Sequence, residues 1–271
     1  PLSVVSNPSA FKNKKIIVID ECHLNMSNSI KNGKVSSRSK LNEFINYINP
    51  EKVIGLTASP IQLVTTRMGS ELKMINRSMR SFWYKSDIFH ITQINEIYEK
   101  YWANIKTEIV DSDINVLTRL RDNSPEFTDQ SIINQYEENN FKIKILDNYE
   151  NLLYNGKKSI LTFVPSVKQA LELSKHNKEF AVVYDKTPKK ERKAIVDAFK
   201  RGDIPMLINC QVFTAGFDHP ELDGLIMARD TMSYQLYYQI YGRIVRPIVE
   251  NGNIIKKEGT IVDLTGNTKR F

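Results

Sequence analysis

The sequence predicts an α/β fold in which short, strongly apolar strands alternate with amphipathic helices. Runs such as Ile16–Ile19 and Met206–Cys210 have the composition of strands buried on both faces of a parallel sheet. Between such runs, stretches like Leu41–Ile48 place apolar residues at helical spacing. Strand, helix and strand in succession form the unit of a parallel sheet, and this pattern occurs in two separate parts of the chain.

Composition sets limits on the class of protein. The chain has 271 residues, enough for one large domain or two modest ones. A hydrophobic fraction of 41% and a charged fraction of 25% are ordinary for a globular protein and argue against a wholly disordered chain. No run approaches the roughly 20 apolar residues that cross a bilayer, so we expect no membrane partner.

The first residues and the cysteines indicate a reducing compartment. PLSVVSNPSAFKNKK lacks the charged start and long apolar stretch of a signal peptide. Only two cysteines, Cys22 and Cys210, are present, which excludes a disulfide scaffold. We therefore expect a cytoplasmic protein, in the host cytoplasm if the protein is viral.

The charge balance favours polyanionic partners. The net charge is +7, from 38 lysines and arginines against 31 acidic residues. Many basic proteins bind no polyanion, so this charge alone changes the odds only slightly. The functional assignment therefore depends on the motifs.

The first part of the chain, residues 1–80, is interpreted as a partial α/β domain. It holds two clear strands, Ile16–Ile19 and Val53–Leu56, with the amphipathic helix Leu41–Ile48 between them. So few strands leave an unpaired sheet edge and little core, so this part is expected to pair with a complementing polypeptide or to be poorly stable alone.

The middle of the chain, residues 81–155, is interpreted as a mainly helical connector, and residues 156–271 as a complete α/β domain. Helices are expected in the connector at Asn95–Ile109 and Ser131–Asn155. The strands expected in the last part are Ser159–Val164, Ala181–Asp185, Met206–Cys210, Gly224–Ala228 and Thr260–Leu264.

Two carboxylates follow the first predicted strand. Asp20 and Glu21 stand in IIVIDECH, where the strand ends. In open α/β sheets, ligands gather beyond the carboxyl ends of the strands. A carboxylate there can hold Mg²⁺ against phosphate oxygens, and a neighbouring Glu can orient or deprotonate an attacking water. An exposed acidic corner between strand and loop is the alternative interpretation.

Two arginines lie on the last predicted helix. Arg243 and Arg246 of QIYGRIVRP share a helix face because they are three residues apart. Guanidinium groups offer forked donors and a permanent charge, which suits a chain of phosphates. A solvated basic helix face is the more common explanation of such a pair, but the largely apolar flank of this helix weakens it.

Two small-residue turns after strands are weak signals by themselves. TAGFD, Thr214–Asp218, has a hydroxyl and a carboxylate that could contact a phosphate or a ribose. TASP, Thr57–Pro60, follows the second strand in the same way.

The order and spacing of these segments resemble a known family. DECH, TASP, FVPS (Phe163–Ser166), TAGFD and QIYGRIVR occur in the order of motifs II to VI of superfamily-two helicases and translocases of the DEAD/DEAH type. The resemblance covers nearly the whole chain, and motif VI is most similar to that of phage-type DNA helicases and of DNA-repair and restriction motors. It implies two RecA-like domains, a partial N-terminal one and a complete C-terminal one, with ATP and Mg²⁺ between them.

The resemblance also implies a role for each motif residue. In motif II, Asp20 binds Mg²⁺, Glu21 activates water, and His23 links the ATP site to motif III. The other implied roles are those of the coupling residues Thr57 and Ser59, the γ-phosphate sensor Gln239, the arginine fingers Arg243 and Arg246, the nucleotide-sugar or coupling residues Gly216 and Asp218, and the nucleic-acid backbone contacts Ser166 and Thr214.

The phosphate-binding loop of motif I does not occur in the sequence. No segment matches G-x-x-x-x-G-K-[ST], whose Lys holds the β- and γ-phosphates. We therefore expect ATP hydrolysis to require a second polypeptide that supplies this half of the first domain, and the chain alone to be inactive. A fragment of a longer protein, or a derivative that no longer hydrolyses ATP, are the alternatives.

Basic residues after motif II are candidates for nucleic-acid binding. Lys31, Lys34 and Arg38 could grip phosphates, although a solvated basic loop is at least as common. The amino-acid sequence of motif VI favours DNA as the partner, with RNA as the alternative. The function expected is that of the C-terminal portion of an ATP-dependent helicase or translocase acting on DNA in replication, recombination or repair. The alternative is a non-catalytic nucleic-acid-binding or regulatory module.

Overall fold

The computed structural model divides into two compact units, Pro1–Ile91 and Thr92–Phe271. We describe each unit by itself. The structure describes residues 7–23, 28–31, 34–37, 40–57, 60–66, 69–79, 81–89, 96, 99, 101–110, 117–118, 126–210, 217–255 and 258–271.

The first unit contains a two-stranded parallel sheet and two hairpins. Strands β1 and β4 are parallel neighbours, and the helix between them in sequence, α1, provides the crossover. The hairpins β2–β3 and β5–β6 were not expected from the sequence. The elements in chain order are β1 (Ile16–Ile19), β2 (Asn28–Lys31), β3 (Lys34–Ser37), α1 (Lys40–Ile48), β4 (Lys52–Gly55), β5 (Ile61–Thr66) and β6 (Gly69–Met74).

One face of the β1–β4 sheet is covered and the other is exposed. The covered face packs against a small core that contains Phe44, Ile45 and Ile48 of α1 together with Cys22, Ile75 and Trp83. Because side chains alternate along a strand, the intervening residues point to the opposite face. That face consists of Ile16, Val18, Ile54 and Leu56, which are 56%, 58%, 42% and 51% exposed.

The second unit is built on a six-stranded parallel sheet in the order β7-β14-β11-β8-β10-β9. The α/β class and the RecA-like parallel sheet predicted from the sequence are confirmed. Its elements are β7 (Asn104–Ile109), α2 (Asp129–Glu138), α3 (Phe141–Tyr154), β8 (Ile160–Phe163), α4 (Val167–Ser174), β9 (Ala181–Val183), α5 (Lys189–Arg201), β10 (Met206–Asn209), β11 (Gly224–Met227), α6 (Tyr234–Ile244), β12 (Val249–Glu250), β13 (Asn253–Ile254), β14 (Glu258–Asp263) and α7 (Asn267–Arg270).

Helices cover both faces of this sheet. Strands β8, β10 and β11 are buried along their whole length. On one face they pack against α2, α3 and α4, and on the other against α5 and α6. Side chains of successive strand residues therefore enter two different apolar clusters, as expected for a parallel sheet buried on both sides.

Two expectations for the middle of the chain are wrong in part. Of the helix expected at Asn95–Ile109, the described residues Glu96, Glu99 and Tyr101 are helical, but Asn104–Ile109 forms β7, which pairs with β14 at the sheet edge. Its alternation of polar and apolar residues, NIKTEI, is typical of a half-buried edge strand. The single helix expected at Ser131–Asn155 is two helices, because Asn140 adopts a left-handed conformation with φ of 52° between them.

The connector expected at residues 81–155 stays a prediction, and α2 and α3 are the two described helices within its bounds. The compact units divide after Ile91, and α2 and α3 contribute to the core of the second unit.

Among the described helices, none is both long and apolar enough to span a bilayer.

A buried carboxylate lies just after β11. Asp230 is 1% exposed, and Arg270 of α7 approaches its Oδ1 at 3.4 Å. Burial is the main cause that raises the pKa of Asp230 to about 7; Arg270 opposes this rise, and the neighbouring carboxylates of Asp263 and Glu126 add to it. Asp230 therefore takes up a proton more readily in the folded chain than in the unfolded chain.

We expect Asp230→Asn to become more stabilising as pH rises. Because the folded-state pKa lies above the ordinary value of 3.8, the wild type loses free energy of unfolding between about pH 4 and pH 7. The amide does not titrate, so the variant gains on the order of 2 kcal/mol relative to wild type between pH 5 and pH 8. Urea unfolding at both pH values measures this difference.

The control is Asp147→Asn, an exposed carboxylate on α3. Its effect should be the same at both pH values. A pH-independent difference for Asp230→Asn would show that Asp230 is already ionised in the folded protein.

Candidate functional site

Asp20 and Glu21 stand together at the carboxyl end of β1, and both are exposed. The Glu21 N–H donates a hydrogen bond to Oδ1 of Asp20 at 2.8 Å. Glu21 has a φ of 49°, in the left-handed region that residues other than glycine seldom adopt. Such conformations persist where surrounding structure enforces them, and they concentrate at functional sites.

His23 joins the end of β1 to the segment after β4. Its Nδ1 lies 2.5 Å from Oγ1 of Thr57 and 3.5 Å from Oε2 of Glu21. The His23 side chain is only 1% exposed. Burial lowers the pKa of His23 and the Glu21 carboxylate raises it by less, so the imidazole is neutral at pH 7. The structure thus brings together one predicted coupling residue and the motif II histidine, while Ser59 lies outside the described residues.

Cys22, between the carboxylates and His23, is buried. The residue is 2% exposed as part of the core, and burial raises the pKa of its thiol. In the part of the chain that the structure describes, no group of three or more His, Cys, Asp or Glu residues could hold a metal ion. Mg²⁺ is commonly held by one or two carboxylates together with substrate phosphates, and the exposed carboxylate of Asp20 fits that role.

Helix α6 carries Gln239 and Arg243, and Arg246 follows the helix end. The helix begins at Tyr234 because Oγ of Ser233 accepts a hydrogen bond from the backbone N–H of Leu236 at 3.2 Å. Gln239 is half-buried.

The two arginines differ in their surroundings. Arg243 is 8% exposed, and its Nη1 donates to the backbone carbonyl of Phe217 at 2.7 Å. Arg246 forms an ion pair with Asp218, and the two side chains are 41% and 66% exposed. An ion pair so open to water contributes less than about 1 kcal/mol, so either partner can exchange it for another charge.

Residues from motifs V and VI therefore contact each other in the second unit. The resemblance assigned Asp218 to the nucleotide sugar or to coupling and Arg246 to phosphate, and the structure places the two side chains in mutual contact. Gly216 and Thr214 of motif V lie outside the described residues.

Ser166 follows β8 at the carboxyl edge of the sheet. Its Oγ donates to Oε1 of Gln169, whose Nε2 donates to Oε1 of Glu137 at 2.8 Å. This chain of side chains ties the motif IV residue to α4 and α2.

The basic residues after motif II lie on the β2–β3 hairpin. The backbone register pairs Lys31 directly with Lys34. Arg38 lies outside the described residues.

Sequence reasoning missed one residue that contacts motif II. The indole Nε1 of Trp83 donates to the carbonyl of Cys22 at 2.8 Å. The only signal in the sequence is the aromatic triplet of Phe82, Trp83 and Tyr84 in a polar region, and it does not indicate a partner.

Comparison with known proteins finds a family model that matches part of the chain. The helicase conserved C-terminal domain matches residues 141–247. The ATP-dependent helicase IRC3 of Saccharomyces cerevisiae is 26% identical over 237 residues, which are 85% of this chain and 32% of that protein. The chain thus spans about a third of this curated relative.

Solved structures share the fold. A fragment of an HsdR subunit of a type I restriction enzyme from Vibrio vulnificus superposes with a TM-score of 0.67 at 18% identity, covering 99% of this chain and 47% of that one. The restriction-modification enzyme LlaBIII, bound to DNA, gives a TM-score of 0.56 at 15% identity, covering 92% of this chain and 18% of that one. Residues 141–247 thus match the helicase conserved C-terminal domain, and the chain shares its fold with these solved structures.

Proposed function

We propose that the chain is the C-terminal portion of an ATP-dependent helicase or translocase that acts on DNA in replication, recombination or repair. The observation that carries this proposal is that each unit joins two motifs at its own site. His23 of motif II contacts Thr57 of motif III, and Arg246 of motif VI contacts Asp218 of motif V. A protein that had lost nucleotide-dependent coupling would have no reason to retain both pairs.

In the first unit, the proposed chemistry takes place at the carboxyl end of β1. Asp20 would hold Mg²⁺, which when bound neutralises charge on the phosphate oxygens of ATP. Glu21 orients the attacking water and accepts its proton, as an exposed carboxylate beside the metal site can. Neutral His23 passes a displacement of Glu21 to Thr57, because its Nδ1 faces both side chains.

In the second unit, the proposed role of Arg246 depends on its exchangeable partner. Its guanidinium leaves Asp218 for the developing charge on the γ-phosphate, and Asp218 is then released for the nucleotide sugar. Arg243 holds the end of α6 to the backbone at Phe217, and this contact fixes the position from which Arg246 extends. Gln239, one turn earlier on the same helix, senses the γ-phosphate.

We further propose that a complementary segment, either upstream in the same polypeptide or in a second polypeptide, supplies the Walker A half of the first domain. The support is the exposed apolar face of the β1–β4 sheet. Parallel sheets are covered on both faces, as in the second unit of this same chain. An α/β segment with an aliphatic helix face satisfies both that requirement and the need for a phosphate-binding loop.

The central test of the function uses Arg246→Ala in the chain supplied with that upstream segment. We expect the DNA-stimulated kcat of ATP hydrolysis to fall by about 10³-fold, because an arginine that stabilises transition-state charge contributes this much. The matched control is Arg201→Ala, an exposed arginine of α5 that also pairs with a carboxylate, Asp203. It should leave kcat unchanged.

Equal rates for the two arginine variants would contradict the proposal. Absence of hydrolysis by a folded wild-type mixture would favour the non-catalytic binding module instead.

The complementation is tested by Val18→Lys on the exposed sheet face. We expect it to abolish the hydrolysis that the upstream segment restores, because a charge buried in an apolar interface is strongly unfavourable. Ile143→Lys on α3 is the control, since both side chains are 58% exposed. If both variants are restored equally, the β1–β4 face is not the contact.

DNA binding is tested at the β2–β3 hairpin, where two lysines are paired in register. We expect the double variant Lys31→Ala, Lys34→Ala to reduce the slope of log affinity against log salt by about one unit for each lysine. Fluorescence anisotropy with single-stranded DNA and RNA at several salt concentrations measures the slope. Lys12→Ala, Lys14→Ala, two exposed lysines elsewhere in the unit, is the control. An unchanged slope would assign binding to another surface.

A further inference from the structure

Trp83 is buried beneath the DECH segment, although it belongs to none of the helicase motifs found in the sequence. The residue is 8% exposed, and its indole Nε1 donates to the Cys22 carbonyl at 2.8 Å. Its own backbone is held as well, since its N–H donates to Oγ of Ser81 at 3.1 Å and its carbonyl accepts from Ser86 N–H at 2.9 Å. Hydrogen bonds therefore hold both the indole ring and the backbone of Trp83.

Cys22 is the point at which the DECH segment is held. Its N–H donates to the carbonyl of Leu56 at 3.0 Å, and its carbonyl accepts the Trp83 indole. With both backbone groups of Cys22 satisfied by separate elements, the neighbouring Glu21 and His23 have little freedom to rotate.

Close packing at Gly55 adds a second constraint. A Cβ placed on Gly55 would lie 2.7 Å from Sγ of Cys22 and 2.8 Å from ring carbons of Trp83. The strand β4, the thiol and the indole are thus in direct contact without spare space. Thr57, the partner of His23, stands two residues after Gly55.

We propose that Trp83 is a positioning residue for ATP hydrolysis, which acts through the Cys22 carbonyl to orient the Glu21 carboxylate and the His23 imidazole. The inference rests on the function proposed above. The left-handed backbone of Glu21 requires enforcement by its surroundings, and a hydrogen bond to the next residue provides it. A buried indole N–H requires an acceptor, and here that acceptor is the backbone carbonyl of a motif residue, Cys22, which lies between Glu21 and His23.

The first test does not depend on activity. Trp83→Phe keeps an aromatic ring and removes the indole N–H. We expect the pKa of His23, followed by NMR titration of the full chain, to rise from its lowered value towards the ordinary 6.5, because the loosened segment admits water. Trp102→Phe, a half-buried tryptophan of the second unit, should leave that pKa unchanged. An unchanged His23 pKa in folded Trp83→Phe overturns the proposal.

The second test measures hydrolysis in the chain supplied with the upstream segment. We expect Trp83→Phe to lower kcat by about tenfold or more, because misplaced reacting groups lose rate, with KM for ATP within twofold of wild type. A lowered melting temperature with unchanged kcat means that Trp83 only packs the core, and overturns the proposal. If the wild-type mixture hydrolyses no ATP, the proposed function fails, and a titration without change still overturns the positioning role.

A second variant covers the case in which Trp83→Phe does not fold. In a Trp102→Phe background, replacing Trp83 with β-(3-benzothienyl)alanine keeps the bicyclic ring and substitutes sulfur for the N–H. The same rise in the His23 pKa and the same loss of kcat are expected. Wild-type values for both would overturn the role of the hydrogen bond.

Discussion

Parallel strands have to be covered on both faces, and the second unit is organised around this requirement. Strands β8, β10 and β11 have no exposed face, because α2, α3 and α4 pack on one side and α5 and α6 on the other. The carboxyl ends of these strands are consequently fixed, and the segments that follow them start from rigid positions. Ser166 after β8 and Asp230 after β11 are each held by neighbours in this way. The first unit meets the requirement on one face only. The candidate site, at the carboxyl end of β1, therefore stands on a sheet that is only half covered.

Features that depend on neighbouring residues could be predicted from the sequence, and features that depend on distant residues could not. The buried strands were predictable because their composition alone identifies them, as in Met206–Asn209. Strand β7 was not predicted, because six alternating residues are a short signal and its partner β14 lies some 150 residues away in the chain. The sequence between β5 and β6 has no Asn-Gly or Asp-Gly pair that would predict a hairpin turn. The motif residues and the link from His23 to motif III were identified by resemblance. The contact of Trp83 with Cys22 and that of Arg246 with Asp218 were not, since these residues are 61 and 28 positions apart in the chain.

The two arginines at the end of α6 show why spacing alone does not assign a role. Arg246 is three positions after Arg243, and the sequence gives no distinction between them. Burial separates them: a guanidinium 8% exposed and bonded to a backbone carbonyl cannot leave without an unpaired buried charge, whereas an exposed ion pair exchanges at little cost. Arg243 is therefore suited to hold the helix end, and Arg246 to move.

The same division between a buried anchor and an exposed reactive group occurs at the end of β1. Asp20 and Glu21 are exposed, as the groups proposed to meet a ligand have to be, and exposed side chains are free to rotate unless their backbone is fixed. Cys22 and His23, directly after them, supply that fixation through bonds to Leu56, Trp83 and Thr57. Precision at a reactive group comes from the residues that support it, so the side chains beneath the motif matter as much as the motif itself. For this reason a residue with no motif of its own, Trp83, is proposed to determine how well the Glu21 carboxylate and the His23 imidazole are placed.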